Sequence, residues 1–403
     1  MNVAILSVAE QLAKRGATVE LLTRAEGPPQ IRTIAPGVTL YELPAGPAGP
    51  LAKERLAEVV DDFGEAVAVL TGRSAPRYDI IHAHYWLSGL AVLPVALELG
   101  IPLVESFHTV AALKNATRDT GQSAESERRV MTEMFLAGQA SAIVAGSAAE
   151  ATALIDLAKA PADRVWVVPP GVDLDLFRPA RNDTAQNDTA RNGTAQDGTA
   201  PNDTAQDDRG SRLRASLGIA PDRHILAVVA RIQPLKDQEL AIRALALLRD
   251  GRAVLVIAGE PTPGDEGYLD GLRALAADLG VSDDVRFVGA LGRPAVATLL
   301  ASASLTVIPS RSETFGIVAV ESAASGTPVV AFHGSGLVES VADGVSGVLV
   351  RSRDPHHWAR TIDGLLDDAP RLAELSQTAR RHAEAFGWAA TATSLLGLYA
   401  SLR

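Results

Sequence analysis

No cysteine occurs among the 403 residues. That excludes disulfides, Cys-ligated zinc and thiol catalysis, and a cytoplasmic setting is expected. Aromatic residues contribute only 4%, so Ala, Val and Leu must supply burial, which suits helices packed on sheets. Positive charge is also scarce: 37 Lys and Arg stand against 48 Asp and Glu, a net −11. A general nucleic-acid binder needs the opposite balance to neutralise phosphates, whereas a small phosphorylated ligand needs only a few placed cations. No basic segment followed by an apolar run opens the sequence, so no secretion leader is expected. The most apolar stretch, residues 87–104, is interrupted by Pro94, Glu98, Gly100 and Pro102. It reads as a buried helix followed by a strand, not a membrane span.

What is present is apolar and periodic. Hydrophobic residues make up 47% of the chain, enough for two cores at this length. Short Val/Ile/Leu runs alternate with helical patterns, the signature of βαβ units and parallel sheets. Strands are expected at 18–24, 78–84, 102–108, 142–147 and 164–169 in the first half. In the second half they fall at 224–230, 253–259, 284–289, 305–309, 327–332 and 347–350, giving two sheets of about six strands each. The fold class is α/β, with two doubly wound, Rossmann-like domains. Their expected bounds are 1–178 and 213–385, with a final helix at 386–403 crossing back to the first domain.

The seam between them, 179–212, contains the repeat R-N-D-T-A-Q-N-D-T-A-R-N-G-T-A-Q-D-G-T-A-P-N-D-T-A at 181–205. It holds no apolar residue larger than Ala, so it cannot offset the entropy of ordering and is expected to be a disordered linker. Asn182, Asn187, Asn192 and Asn202 carry glycosylation spacing, a weak reading beside a tolerant interdomain loop. Residues 1–15 already show a helical stripe, whereas a doubly wound domain normally opens with a central strand and a glycine-rich turn. The expectation is therefore a domain truncated at its start, with the reading frame beginning upstream.

The sharpest chemical signal is Arg231-Ile-Gln-Pro-Leu-Lys236, directly after the strand at 224–230. Ligands of open parallel sheets bind at the carboxyl ends of strands. A guanidinium fork and a mobile ammonium together suit a diphosphate, although the plain alternative is a loop with two solvated cations. A second signal is Glu313-Thr-Phe-Gly316, followed by Glu321 in the succeeding helix. A helix start presents amides to an anion, and each carboxylate can accept from vicinal hydroxyls. Glutamates there also serve as ordinary dipole complements. All four charged groups at strand ends of one sheet make the stronger conjunction.

R-x-x-x-x-K followed by E-x7-E, within P-S-R-S-E-T-F-G-I-V-A-V-E-S-A-A-S-G-T-P-V-V at 309–330, resembles the retaining GT-B glycosyltransferases of family 4. H-A-H-Y-W-L-S-G at 82–89, F-H-T-V-A-A-L-K-N at 107–115 and P-G-V-D-L-D-L-F-R-P at 170–179 are similar to the branch that glycosylates inositol phosphate in mycothiol synthesis. The opening M-N-V matches that branch's G-G-M-N-V, without the glycines. The resemblance implies two Rossmann-like domains facing a cleft, the first binding acceptor and the second a UDP-sugar. Arg231 and Lys236 would bind the donor diphosphate and stabilise the leaving group, and Glu313 would hold sugar hydroxyls. Thr314, Phe315, Gly316, Ile317 and Val318 would line the donor with their backbone, and Glu321 would take the ribose hydroxyls. His108 would sit by the anomeric carbon; its bland alternative is a histidine ending a strand. Asn2, Lys53, Tyr85, Thr109 and Arg129 would bind the acceptor; Lys53 and Arg129 would each ordinarily be an exposed helix charge. No cofactor or metal is implied, and the His82/His84 pair lacks an accompanying ligand cluster.

The partners expected are a UDP-sugar, a cyclitol or cyclitol-phosphate acceptor and a second copy in a homodimer, with no nucleic acid and no stable membrane insertion. The expected reaction moves N-acetylglucosamine from UDP-GlcNAc to inositol phosphate with retention. Its rivals are transfer to an aminocyclitol in aminoglycoside antibiotic assembly, with Glu105 or Glu127 recognising the cation, and an inactive paralogue acting as a binding module. A dinucleotide oxidoreductase is disfavoured because no G-x-G-x-x-G opens either half.

Overall fold

The computed structural model describes residues 2–73, 78–117, 124–180, 204–262 and 264–403. The chain divides into two compact units, Met1–Gly171 with Phe386–Arg403, and Val172–Ala385.

The first unit begins with α1 (Asn2–Ala13) and β1 (Val19–Arg24). Strand β2 (Gln30–Ala35) runs antiparallel to β3 (Val38–Leu43), and β3 runs parallel to β1. Gly37, at φ 75°, closes that hairpin. There follow α2 (Val60–Arg73), β4 (Ile81–His84), α3 (Trp86–Leu99), β5 (Leu103–Ser106), α4 (Ala111–Thr117), α5 (Glu127–Gln139), β6 (Ala142–Ala145), α6 (Ala148–Asp156) and β7 (Val165–Val167). Strands β4-β5-β6-β7 make a 4-stranded parallel sheet separate from the 3-stranded sheet β1-β3-β2.

One sheet of about six strands is what the sequence pattern suggests, so the division corrects it. Among the described residues, β1 and β4 each have a paired strand on one side only. The unexpected β2 is an exposed edge strand, whose alternating polar pattern carries none of the continuous apolar signal of a covered strand. Strand β5 shows that signal fully, with all its residues buried. The apolar segment at 87–104 supplies most of α3 and the start of β5, as its composition suggests. Among the described residues, no helix is long and apolar enough to cross a membrane.

The second unit contains α7 (Thr204–Ser216), β8 (His224–Val229), α8 (Gln238–Leu245), β9 (Ala253–Ala258), α9 (Glu266–Asp278), β10 (Val285–Gly289), α10 (Arg293–Ser302) and β11 (Leu305–Ile308). It continues with α11 (Ile317–Ala324), β12 (Val329–Phe332), α12 (Leu337–Ser340), β13 (Gly347–Val350), α13 (Pro355–Asp367) and α14 (Ala369–Glu384). Its 6-stranded sheet has the order β10-β9-β8-β11-β12-β13, and every pairing is parallel. Strands β8 and β9 are buried almost throughout. The chain winds outward from β8 in one direction through β9 and β10, then restarts at β11 on the other side. The β8/β11 junction is thus the topological switch point, where doubly wound sheets open a ligand crevice.

The boundary at 178 shifts to Gly171/Val172. Phe177 is fully buried in the second unit, and Arg380 of α14 donates to the carbonyls of Leu174 and Phe177. Residues 204–212, assigned to a linker from composition, lie in α7; the rest of the repeat, with its four asparagines, lies outside the described residues. The final helix, α15 (Trp388–Ser401), belongs to the first unit. There its Leu395 and Leu398 pack with Val104 and Ala142.

Candidate active site

In the second unit, the expected donor residues gather at the switch point. Lys236 Nζ lies 2.7 Å from Glu313 Oε1, joining the turn after β8 to the loop after β11. The same two loops are bonded through Arg311 N–H to Leu235 O at 2.9 Å. Arg231 is exposed, while its carbonyl accepts from Gln238 Nε2 at 2.9 Å. Backbone is therefore fixed and the guanidinium left in solvent.

Sequence reasoning missed the scaffold beneath. Asp237 follows Lys236 with φ 49°, and its carboxylate caps α8 by accepting from Leu240 N–H. It also pairs with Arg353 and, at 3.5 Å, with Arg311. Arg353 further donates to Pro309 O at 2.9 Å, so loops after β8, β11 and β13 share one ionic knot. Ser335, at φ 47°, accepts from Glu313 N–H at 2.8 Å. Charge adjacent to the motif was visible in the sequence; partners more than a hundred residues away were not.

Gly316 sits at φ 90° at the start of α11, and a Cβ there would lie 2.7 Å from Leu337 Cδ2. Both backbone conformation and space require glycine. Ile317 and Val318 open the helix, where first-turn amides lack intrahelical acceptors. Phe315 is 4% exposed and packs into the protein; with Thr314 it contributes backbone to this loop. Glu321 lies one turn further, in the buried part of α11. Burial pushes its carboxyl up to about 7, opposed by Arg293, whose Nη1 is 3.5 Å away.

In the first unit, the expected residues fall at the ends of β4 and β5. Tyr85 and His108 have φ 77° and 58°. Left-handed backbone in such residues is costly and concentrates at functional sites. Three imidazoles stack: ring centroids of His82 and His84 are 4.3 Å apart, and those of His84 and His108 are 5.2 Å apart. His82 Nδ1 bonds Tyr399 Oη at 2.7 Å and its Nε2 bonds Ser106 Oγ at 2.9 Å. His84 Nδ1 and His108 Nε2 are 3.0 Å apart. Burial lowers all three pKa values, His82 to about 3 and His108 to about 4. The neutral His84–His108 pair must share one proton, which couples their tautomers. Among the described residues, no group of three or more His, Cys, Asp or Glu is arranged to hold a metal ion.

Tyr85, Thr109 and Arg129 come together. Arg129 is 4% exposed. Its Nη2 donates to Thr109 O at 3.1 Å and Thr109 Oγ1 at 2.9 Å, and its guanidinium carbon is 5.1 Å from the Tyr85 ring centre. Nε meets Glu133 Oε1 at 2.7 Å, and Nη1 meets Glu125 Oε2 at 2.9 Å. The plain alternative of an exposed helix charge does not hold for Arg129, which is inward and doubly paired. Lys53 is exposed in a short 3-10 helix, and no hydrogen bond, ion pair or ring contact among the described residues ties it to that group. Asn2 begins α1, but its side chain lies outside the described residues.

Of the alternative carboxylates, Glu127 is exposed in the first turn of α5. Glu105 is fully buried, with neither oxygen hydrogen-bonded. A Cβ on Gly89 would fall 2.1 Å from its Oε2, and burial, then Glu133, drives its pKa well upward. Buried against Gly89, it cannot meet a cationic acceptor as a surface carboxylate would.

The family described as "Glycosyl transferases group 1" matches residues 211–382, and "Glycosyl transferase 4-like domain" matches residues 1–171. D-inositol 3-phosphate glycosyltransferase of Mycolicibacterium paratuberculosis is 39% identical over 403 residues, spanning 99% of this chain and 85% of that protein. The protein of the same name from Thermobispora bispora is 38% identical over 409 residues, spanning 99% and 89%. Sucrose-phosphate synthase from Thermosynechococcus elongatus superposes with TM-score 0.81 at 27% identity, covering 100% of this chain and 93% of that one. HepE of Anabaena, solved with UDP and glucose, has TM-score 0.74 at 22% identity over 99% and 95%, a likeness of fold. With both halves matched by family and relatives aligned from end to end, the chain belongs to the group 1 glycosyl transferases with a 4-like N-terminal domain, and is a family 4 glycosyltransferase of GT-B fold.

Proposed function

We propose that this glycosyltransferase moves N-acetylglucosamine from UDP-GlcNAc to an inositol phosphate, with retention of anomeric configuration. The observation that carries the acceptor half is the buried Arg129 held against Thr109 and Tyr85 at the strand ends. The names of relatives at 38–39% identity support the same class. For the donor, Arg231 and Lys236 would hold the diphosphate at the switch point, with Glu313 released from Lys236 to accept from sugar hydroxyls. Positive charge placed where the leaving diphosphate gains its negative charge lowers the barrier. In its ionised form, Glu321 would accept from the ribose hydroxyls. His108, kept neutral by burial, would serve as a hydrogen-bonding group beside the anomeric carbon, aimed by His84. No step in this reading calls for a metal ion. With no second carboxylate assigned as a nucleophile among the described residues, a front-face route through an oxocarbenium-like state fits better than a covalent intermediate.

The test is mass spectrometry of products from a panel of UDP-sugars offered with inositol phosphate, unphosphorylated inositol and a 2-deoxystreptamine-type acceptor. A GlcNAc–inositol phosphate product with retained configuration is expected. Preference for the amine-bearing acceptor would replace the acceptor reading and leave the donor chemistry intact.

A further inference from the structure

The Arg129 cluster contains a feature that an anion-binding site should not need. Glu125 precedes α5 and places its carboxylate between two cations: Arg129 Nη1 at 2.9 Å and Lys114 Nζ of α4. Burial alone would raise its pKa, but bonding to Lys114 and the charge of Arg129 hold it below the ordinary value. Arg129 and Lys114 contribute two positive charges; Glu125 and Glu133 contribute two negative ones. A dianion arriving at this cluster therefore finds no surplus positive charge.

The two carboxylates are not equivalent. Glu133 is 1% exposed and structurally committed, since its Oε2 also accepts from Ala111 N–H at 2.7 Å. The Glu125 side chain is 22% exposed, and among the described residues its carboxylate bonds only the two cations. Its backbone is anchored independently: Asn115 Oδ1 accepts from Glu125 N–H at 2.7 Å, and Asn115 Nδ2 donates to Glu125 O at 3.2 Å. The carboxylate can thus leave its cations without releasing the chain.

We propose that the Glu125 carboxylate occupies the seat of the acceptor's phosphate between Arg129 and Lys114, and that phosphate binds by displacing it. Lys114 then becomes a phosphate ligand, and Glu125 a specificity-determining residue. Only an acceptor with enough negative charge to outcompete a tethered carboxylate gains the seat; a neutral cyclitol leaves the pair closed. The proposal rests on the acceptor reading above, but its test requires no turnover.

The experiment titrates inorganic phosphate calorimetrically into the parent protein, Glu125→Gln and the double variant Glu125→Gln/Lys114→Ala. Glutamine keeps the shape and the backbone anchors while removing the competing charge. Phosphate should bind Glu125→Gln about tenfold more tightly than parent, and the double variant should lose that gain. Equal or weaker binding to Glu125→Gln, or no phosphate binding by either protein, overturns the proposal. In assays, the KM for inositol phosphate should fall in Glu125→Gln while that for unphosphorylated inositol stays unchanged. A purely structural Glu125 would instead raise both. If the parent prefers an unphosphorylated acceptor, the function reading fails, and the phosphate titration still decides the seat.

Discussion

The two units manage charge in opposite ways. In the second, Lys236 and Glu313 are 15% and 18% exposed in their side chains, and Arg231 stands in solvent. In the first, Arg129 and Glu133 are 4% and 2% exposed. Rim charges can exchange partners for a ligand at little structural cost, whereas buried ones are part of the fold. A sheet continuous across the switch point supports the first arrangement; helix α5 packed onto a short sheet imposes the second. The Lys236–Glu313 pair is thus partly open to solvent, whereas the Arg129–Glu133 pair is closed into the fold.

The largest effect should come from breaking the buried pair. Arg129→Ala leaves Glu133 in the core with one partner lost and should destabilise by ~3–5 kcal/mol, read as a lowered denaturation midpoint. A change under about 1 kcal/mol would show that the cluster is not structural. The rim pair should behave inversely. Lys236→Ala or Arg231→Ala should cut kcat by roughly 10²–10³ with little shift in Tm; near-normal kinetics in Arg231→Ala would remove it from the donor site.

Glu321 tests the comparison from inside the second unit. Its folded pKa of about 7 exceeds the ordinary 4.5. Between those values the native state keeps a proton that the unfolded chain has lost, so this group's contribution to stability falls as pH rises through that window. Glu321→Gln should therefore gain up to about 3 kcal/mol relative to parent between pH 5 and pH 8. In the parent, the donor KM should fall as pH rises through about 7 and the carboxylate forms. In the glutamine variant it should be high and flat. A pH-independent parent KM would dissociate Glu321 from the ribose.

The smallest effect should follow deletion of residues 182–203. Their composition offers nothing to bury, and loop closure changes by only about 0.6 kcal/mol per doubling of length. Activity and Tm should be nearly unchanged; a large loss would give the repeat a role.

By itself the sequence determined the parallel α/β architecture, because continuous apolar runs such as those of β8 and β9 are stable only when both faces are covered. It also placed Arg231, Lys236, Glu313 and Glu321 at strand ends of one sheet, since they lie within two short segments that directly follow apolar runs. Strand β2 escaped because an exposed edge strand has no apolar continuity, and the domain boundary because Phe177 meets Arg293 at its ring and Arg380 at its carbonyl, both more than a hundred positions away. Only the tertiary structure decided that Arg129 faces inward, that Glu105 is packed against Gly89, that Asp237 ties Arg311 to Arg353, and that Glu125 sits between Lys114 and Arg129. Each of these depends on pairings across separate elements. Local sequence sets a residue's helix or strand, but burial and charge neutralisation come from whatever the fold packs opposite it.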